Sequence, residues 1–312
     1  MTDNKKKDEN IIIVENGINT CYISSLLMAL FYSPSNIYYK MLESDPNNPN
    51  FYYLQELIKI NFIEPIRKGY NVTADTINEI RNYMFINGWK LDNPDELFEQ
   101  QDVNELYLYL SNNLYENQID LVKQTTNEMS DNFVQAKNEE KVPFINLSLT
   151  KDFKEQKQLS IEDLLYDWMN DNIIETKQEI NKNGTSLIET VKSLASFKIS
   201  NIPYIFPIAI NRFNGGKKNN TAVDVKYQIK PLKGLGTFDN ARWSIHSIIC
   251  HTGKDTKNGH YYTVMLHGNK WFIFDDQSVP SLYPVDMKLD ILKNKVMSEV
   301  VFAIYKYDEL SI

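Results

Sequence analysis

Thiol chemistry in this chain depends on two cysteines, Cys21 and Cys250, and only the first stands in a marked context. Polar turn residues, 15–20, end directly before Cys21, and apolar residues then recur at spacings of three and four. The pattern predicts that Cys21 lies at the N-terminus of a helix, where the helix dipole favours the reactive thiolate. A packed, inert thiol is the alternative for any cysteine considered alone, and Cys250, within an apolar strand-like run, is predicted to be one.

His260 is the histidine whose context best suits a catalytic base. It lies in Gly259-His260-Tyr261, between the polar turn 253–258 and an apolar strand-like segment. Because glycine has no side chain, Gly259 is predicted to let a substrate backbone approach closely. The alternative is a strand histidine that only packs. His251 is predicted to support the site from outside it.

Two carboxylates follow the next predicted strand. Residues 270–274 have an apolar strand pattern that ends at Asp275 and Asp276, and Gly268-Asn269 before it predicts a hairpin turn. Across that hairpin Asp275 can lie beside His260, where a carboxylate would orient the imidazole and stabilise its positive charge. A turn-forming pair of aspartates is the alternative. Asp276 is predicted to assist Asp275 or to cap the turn.

The turn before Cys21 also contains a candidate hydrogen-bond donor, Asn16. Its side-chain amide, with the backbone N–H of Cys21, is predicted to stabilise the oxyanion of a tetrahedral intermediate. The alternative is that Asn16 only forms a turn with Gly17. Together these groups favour a cysteine hydrolase whose nucleophile and base come from opposite ends of the chain.

The elements that must position these groups begin with a helical part. The helix that starts at Cys21 is predicted to be capped by Asn19 or Thr20 and to end at residues 33–35. Residues 37–125 are predicted to be mostly helical, most clearly over 51–60, 73–85 and 100–114.

A strand-rich part that carries every histidine follows. Residues 126–141 have no apolar period and are predicted to form a mobile connection. Alternation begins at Val142, and Ser160 with Asp163 predicts the capped start of a helix. The clearest predicted strands are 203–213, 243–251, 261–267, 270–274 and 300–307.

Composition limits the classes of function. The chain has 312 residues, a net charge of −8, 42% hydrophobic and 24% charged residues, which is typical of a folded domain. The negative charge argues against a nucleic-acid partner, which needs a basic surface. Two cysteines are too few for a disulfide-stapled secreted protein, and no signal peptide or membrane span is recognised. Residues 1–10 are predicted to be a disordered tail, and the protein to be intracellular, cytoplasmic or nuclear, without a membrane partner.

Several segments together resemble one enzyme family. Residues 16–27, NGINTCYISSLL, resemble the Cys box of the ubiquitin-specific proteases, and residues 253–276 resemble their His box. Further segments follow the order that is typical of that family: 99–106, 143–149, 160–165, 207–213 and 302–305. The chain departs from the family pattern at three positions of the Cys box, where the family has Gly, Asn and Gln: Ile18, Ser24 and Met28.

The resemblance implies an α+β, papain-like fold in the shape of a hand. One catalytic domain, 11–312, would contain a helical thumb over about 11–135 and a β-rich palm and fingers over about 140–312. The family's two pairs of zinc-binding cysteines are absent, so the fingers are predicted to be short, within 170–200, and free of metal.

The resemblance also implies roles for particular residues. The catalytic triad would be Cys21, His260 and Asp275. Asp102 and Glu105 are three residues apart on one predicted helix and are expected to bind the arginines of the ubiquitin tail. A solvated acidic helix face is the alternative. The other residues expected to contact the tail are Gln101, Gly259 and Tyr261.

The predicted function is that of a thiol-dependent deubiquitinase that hydrolyses the bond after the C-terminal glycine of ubiquitin. Its partner would be ubiquitin or a ubiquitinated protein, and it would act as a monomer without a cofactor. Two alternatives remain: a protease for another ubiquitin-like modifier, and a catalytically weak scaffold that binds ubiquitin. The joint presence of Cys21, His260 and Asp275 argues against the scaffold.

Overall fold

A computed structural model describes most of the chain. The described residues are 11–90, 97–127, 136–149, 159–170, 172–182, 185–214, 216–230, 240–254 and 258–308. The predicted tail, 1–10, lies outside them. Among the described residues, no helix combines the length and the apolar character of a membrane span.

Helices dominate the described chain up to Leu114. The apolar spacing after Cys21 correctly predicts the first helix, which ends before residues 33–35. Single turns of π or 3₁₀ helix occur at Tyr39–Glu43, Pro49–Phe51 and Leu57–Ile63. The α-helices are α1 (Cys21–Phe31), α2 (Asn36–Tyr38), α3 (Tyr52–Glu56), α4 (Glu64–Arg67), α5 (Ala74–Ile86), α6 (Val103–Leu114), α7 (Ile161–Met169) and α8 (Asp290–Glu299).

Strands dominate the described chain after Leu114, and the two parts together confirm an α+β fold. They are β1 (Ile119–Asn127), β2 (Ala136–Val142), β3 (Ile145–Ser148), β4 (Leu159–Ser160), β5 (Asn172–Lys182), β6 (Thr185–Ile199), β7 (Ile205–Asn211), β8 (Phe213–Asn214), β9 (Lys217–Lys218), β10 (Val223–Asp224), β11 (Gln228–Ile229), β12 (Trp243–Thr252), β13 (His260–His267), β14 (Lys270–Phe274), β15 (Leu282–Val285) and β16 (Val300–Tyr307). The main sheet has the order β15-β14-β13-β12-β16-β7-β3, with β11 paired to β12. A second sheet has the order β2-β1-β6-β5.

Residues 37–125 are mostly helical, as predicted, but the helices end at Leu114. The prediction that residues 126–141 form a mobile connection is wrong for their described residues, all of which belong to β1 or β2. The fingers are predicted within residues 170–200. The second sheet extends beyond that range, because β1 pairs with β6. The absence of a metal from the fingers stays a prediction.

α1 is the centre of the first hydrophobic core. Every residue of α1 is buried, because the helix lies between the other N-terminal helices and the strands β12 and β13. A helix that is apolar on all sides is typical of such a position. Two strand hydroxyls fix its register: Ser247 donates to the carbonyl of Ala29 at 2.8 Å, and Thr263 donates to the carbonyl of Ser25 at 2.7 Å.

Arg212 ties the other face of the main sheet to α8. Its side chain is almost completely buried. The guanidinium donates to the carbonyls of Met297 at 2.7 Å and Val300 at 2.6 Å, and also to those of Asn219 and Thr221. Because the first two carbonyls lie at the C-terminus of α8, the cation also complements the helix dipole.

We expect Arg212→Met to lower the free energy of unfolding by at least about 3 kcal/mol, because several buried carbonyls would lose their donor. The matched control is Arg242→Met, since Arg242 is exposed on the same half of the chain; a change within about 0.5 kcal/mol is expected for it. Urea unfolding followed by tryptophan fluorescence measures both. Equal midpoints for the two variants would contradict this account of Arg212.

Candidate active site

α1 presents Cys21 at its N-terminus, but the helix is not capped in the predicted way. Cys21 is its first residue and is 4% exposed. Thr20 occupies the N-cap position without a side-chain cap, and its hydroxyl accepts a hydrogen bond from the N–H of Gly17 at 2.9 Å instead. Because no capping side chain covers the first N–H groups of α1, the positive end of the helix dipole is directed at Cys21.

A hairpin brings His260 and Asp275 together. His260 begins β13, Asp275 follows β14 directly, and the predicted turn at Gly268-Asn269 joins the two strands. Nε2 of His260 lies 2.7 Å from Oδ1 of Asp275. Asp275 also accepts hydrogen bonds from the N–H of Gln277 at 3.0 Å and the hydroxyl of Ser278 at 3.1 Å. These bonds hold the carboxylate in place while it orients the imidazole.

The charge state of this pair suits an activated thiol. Burial lowers the pKa of His260, but the hydrogen bond to Asp275 and the nearby negative charges of Cys21 and Asp276 outweigh it, and the pKa rises to about 10. For Asp275, burial raises the pKa, and the bonds from His260 and Gln277 more than reverse that effect. At neutral pH the pair is therefore imidazolium and carboxylate, and the imidazolium can stabilise a thiolate on Cys21.

Asp276 has a separate position. Its side chain is fully buried, and Oδ1 lies 3.8 Å from Nε2 of His260, well beyond the distance of Asp275. It accepts hydrogen bonds from the amide of Asn16 at 3.1 Å and from the hydroxyl of Ser24 at 2.7 Å. Burial raises its pKa, the hydrogen bond from Ser24 opposes that effect, and the net shift is upward. Asp276 thus links the turn before Cys21 to α1.

The contact with Asp276 also orients Asn16. A carboxylate accepts hydrogen bonds, so the NH₂ end of the Asn16 amide must face it, and the oxygen end faces the hydroxyl of Thr20 at 3.4 Å. The NH₂ group has two hydrogens, and one bond to Asp276 leaves the second as a donor. This orientation leaves a donor for the oxyanion that Asn16 is predicted to stabilise.

Gly259 also has a packing reason to lack a side chain, while its predicted contact with a substrate backbone stays a prediction. A Cβ at this position would collide with the carbonyl of Thr252 and the imidazole of His251. The glycine therefore allows β12 and the start of β13 to pack closely. His251 is 1% exposed, packs against Tyr261 in a tilted arrangement with 4.6 Å between ring centroids, and lies 3.0 Å from the amide of Gln100.

A concave pocket of about 260 Å³ lies between α6 and the main sheet. Its walls include residues from both parts of the chain: Asp102, Glu105, Leu108, Phe144, Asn146, Asn211, Phe213 and Tyr261. An acidic edge on α6 faces aromatic side chains from the sheet. A pocket of this kind suits an extended cationic segment with an apolar residue.

The two acidic residues of the pocket, Asp102 and Glu105, have different partners within the protein. Asp102 caps α6 by accepting a hydrogen bond from the N–H of Asn104 at 2.6 Å, so α6 begins at Val103 and not at residue 100. Glu105 forms an ion pair with Lys90. Gln101 is buried and has a partner within the protein, so it offers little surface to a substrate.

Some site contacts were not predicted from the sequence. In the sequence, Ser24 is only a departure from the family pattern. In the structure, its hydroxyl donates a hydrogen bond to Asp276. The contact of Gln100 with His251 and the pairing of Lys90 with Glu105 join residues far apart in sequence. No local signal could have identified any of them.

Within the described residues, one group of side chains could converge on a metal ion: His260, Asp275 and Asp276. Their ligand atoms already have partners, since the imidazole bonds to Asp275, and Asp276 accepts from Asn16 and Ser24. The hydrogen bonds explain the arrangement without an ion.

The chain matches the model of a known protein family. The family model described as ubiquitin carboxyl-terminal hydrolase matches residues 14–297, which include Cys21, His260 and Asp275. The chain belongs to the ubiquitin carboxyl-terminal hydrolase family. A solved structure, the SAGA deubiquitinating module of Ubp8, Sgf11, Sus1 and Sgf73 bound to monoubiquitin, shares the fold with a TM-score of 0.63 and 13% identity, over 99% of this chain and 72% of that chain.

Two curated hydrolases of this family are similar in sequence. Ubiquitin carboxyl-terminal hydrolase 15 of Schizosaccharomyces pombe is 26% identical over 303 residues, which cover 88% of this chain and 25% of that protein. Ubiquitin carboxyl-terminal hydrolase 4 of Arabidopsis thaliana is 27% identical over 88 residues, 26% of this chain and 24% of that protein. The chain therefore spans about a quarter of the length of the curated relatives that it matches.

We expect Asp275→Asn to lower the pKa of His260, because a hydrogen bond that favours the imidazolium is weakened. A charge-assisted bond of about 1.5–3 kcal/mol corresponds to about one to two pH units. Titration of the His260 ring protons by NMR, assigned with His260→Gln, measures the shift. Asp276→Asn, at the longer distance, should shift the pKa less, and the reverse order would contradict the assignment of Asp275 as the partner.

Proposed function

We propose that the chain is a thiol-dependent deubiquitinase that cleaves the isopeptide or peptide bond after the C-terminal glycine of ubiquitin. The observation that carries the proposal is the His260–Asp275 pair, 2.7 Å apart, whose imidazole interacts electrostatically with Cys21 at the positive end of α1. Membership of the ubiquitin carboxyl-terminal hydrolase family supports it.

In the proposed reaction the thiolate of Cys21 attacks the carbonyl carbon of the terminal glycine. The oxygen becomes an oxyanion that accepts hydrogen bonds from the second N–H of the Asn16 amide and the backbone N–H of Cys21. His260 gives its proton to the nitrogen of the departing lysine, and the C–N bond breaks to leave a thioester. Water then attacks the thioester while His260 takes its proton, and the thiolate leaves with the acid product released.

The pocket beside α6 is proposed to bind the ubiquitin tail. Asp102 is the stronger candidate for an arginine because its carboxylate lines the pocket and forms no salt bridge within the part of the chain that the structure describes. Glu105 would have to exchange Lys90 for the arginine, so its net contribution is smaller. Tyr261 and Phe213 supply apolar walls.

The proposal also covers the partner and the cellular location of the enzyme. Ubiquitin or a ubiquitinated protein is the proposed partner, and an intracellular location follows from that substrate. Absence of a nucleic-acid partner and action as a monomer stay predictions. Activity toward another ubiquitin-like modifier would show itself as cleavage of that modifier's fusion in preference to ubiquitin.

Cys21→Ala is expected to abolish hydrolysis of a fluorogenic ubiquitin C-terminal amide while leaving the protein folded, because no other group can form the thioester. Cys250→Ala is the matched control. Its thiol is fully buried in β12, and burial raises its pKa to about 12, so it should be inert. Retained turnover in the Cys21 variant would disprove the proposal.

Asp102→Asn is expected to raise KM for the ubiquitin substrate about tenfold or more, since a charge-assisted contact is worth about 1.5–3 kcal/mol. Asparagine is as good an N-cap as aspartate, so this variant removes the charge without removing the cap of α6. Glu105→Gln should have a smaller effect, because Glu105 is already paired with Lys90. The rate of Cys21 alkylation by iodoacetamide is the control and should not change. An unchanged KM in both variants would leave the acidic pair as surface charge only.

A further inference from the structure

Two large apolar side chains are exposed beside the candidate nucleophile. Ile18, in the turn that leads to Cys21, is 69% exposed, and Phe98 is 52% exposed. Neither lines the pocket assigned above to the ubiquitin tail. Exposed apolar residues are common one at a time, but a pair held together next to a reactive centre requires an explanation.

One buried cation holds the pair. Arg81, 2% exposed, donates from Nη1 to the carbonyl of Ile18 at 2.7 Å, and its guanidinium lies 4.5 Å from the centre of the Phe98 ring. The amide of Asn19 donates to the carbonyl of Phe98 at 2.9 Å. Asn19 adopts a left-handed backbone conformation, with φ of 53°, so the turn depends on these contacts to keep its shape.

The reaction indicates what such a surface contacts. A substrate of Cys21 has two parts, and they leave the attacked carbonyl in different directions. The acyl part occupies the pocket lined by Asp102 and Tyr261 under the proposed function, so an apolar surface at the turn that leads to Cys21, outside that pocket, is available to the other part. In an isopeptide that part is a lysine, whose four methylene groups are apolar and pack well on such surfaces.

We propose that Ile18 and Phe98 form a leaving-group subsite that packs on the aliphatic stem of the acceptor lysine. This inference rests on the proposed deubiquitinase function and adds to it a preference for lysine-linked substrates over substrates with a small leaving group. Arg81 is a positioning residue for the subsite, because it acts through the carbonyl of Ile18 and the ring of Phe98.

The test compares two substrates that share the acyl part. Ubiquitin ethyl ester releases ethanol, whereas ubiquitin joined to Nε of a capped lysine peptide releases the whole stem. For Ile18→Ala and Phe98→Ala, we expect the ratio of kcat/KM for the isopeptide to that for the ester to fall about fivefold to tenfold, the effect of burying one to two methylene groups. Ile291→Ala, at an 89% exposed position on α8, is the control and should keep the parent ratio.

The outcomes separate the two proposals. If the parent protein hydrolyses neither substrate, the deubiquitinase function is wrong. If the parent is active and both variants keep its ratio within twofold, the leaving-group subsite is wrong while the function stands. An equal loss on both substrates also overturns the subsite, because Ile18 and Phe98 would then act only by shaping the turn before Cys21.

Discussion

The packing of α1 against β12 and β13 is the interaction on which the site depends. Cys21 and His260 lie near opposite ends of the chain, so only a fixed contact between these elements can align them. Complete burial of α1 supplies the free energy, because each fully buried large apolar side chain contributes about 1.5–3 kcal/mol. The hydroxyls of Ser247 and Thr263 supply the register, since apolar packing alone tolerates small shifts along the helix.

A second set of contacts ties the carboxylate loop to the turn before Cys21. Asp276 bonds to Asn16 and to Ser24, and Ser281 bonds to Val14 through its hydroxyl. The loop that follows β14 and the turn before Cys21 therefore share one hydrogen-bond network, which contains the groups proposed to orient the base and to stabilise the oxyanion. The two neighbouring aspartates have different partners: Asp275 bonds to the imidazole of His260, and Asp276 bonds to Asn16 in the turn before Cys21. A buried network of this kind is stable only when every member is satisfied, which explains why Asn16 must present its NH₂ group to Asp276.

Local patterns in the sequence were sufficient for several elements. The period of three and four residues after Cys21 identified α1, Gly268-Asn269 identified the β13–β14 hairpin, and Ser160 with Asp163 forms the expected capping box. β1 and β2 escaped prediction because much of their described surface is exposed or half-buried, so no apolar alternation marks them.

The start of α6 was misplaced for a different reason. The sequence pattern predicts that Asp102 lies within the helix. In the structure Asp102 is the N-cap, and Gln100 and Gln101 precede the helix. The packing role of Gly259 could not be predicted either. The atoms that leave no room for a Cβ belong to His251 and Thr252, and strand pairing brings them close. Contacts whose partners come from distant elements, such as that of Ser24 with Asp276, leave no local signal in the sequence.

The most direct test of this account is the site at which a ubiquitin with a C-terminal electrophile becomes attached. We expect one adduct per chain, on Cys21, as located by mass spectrometry of the digested complex, and a strongly reduced rate in His260→Ala. Failure of the folded protein to form an adduct, or attachment at Cys250, would contradict the alignment of α1 with the His260–Asp275 pair as the basis of activity.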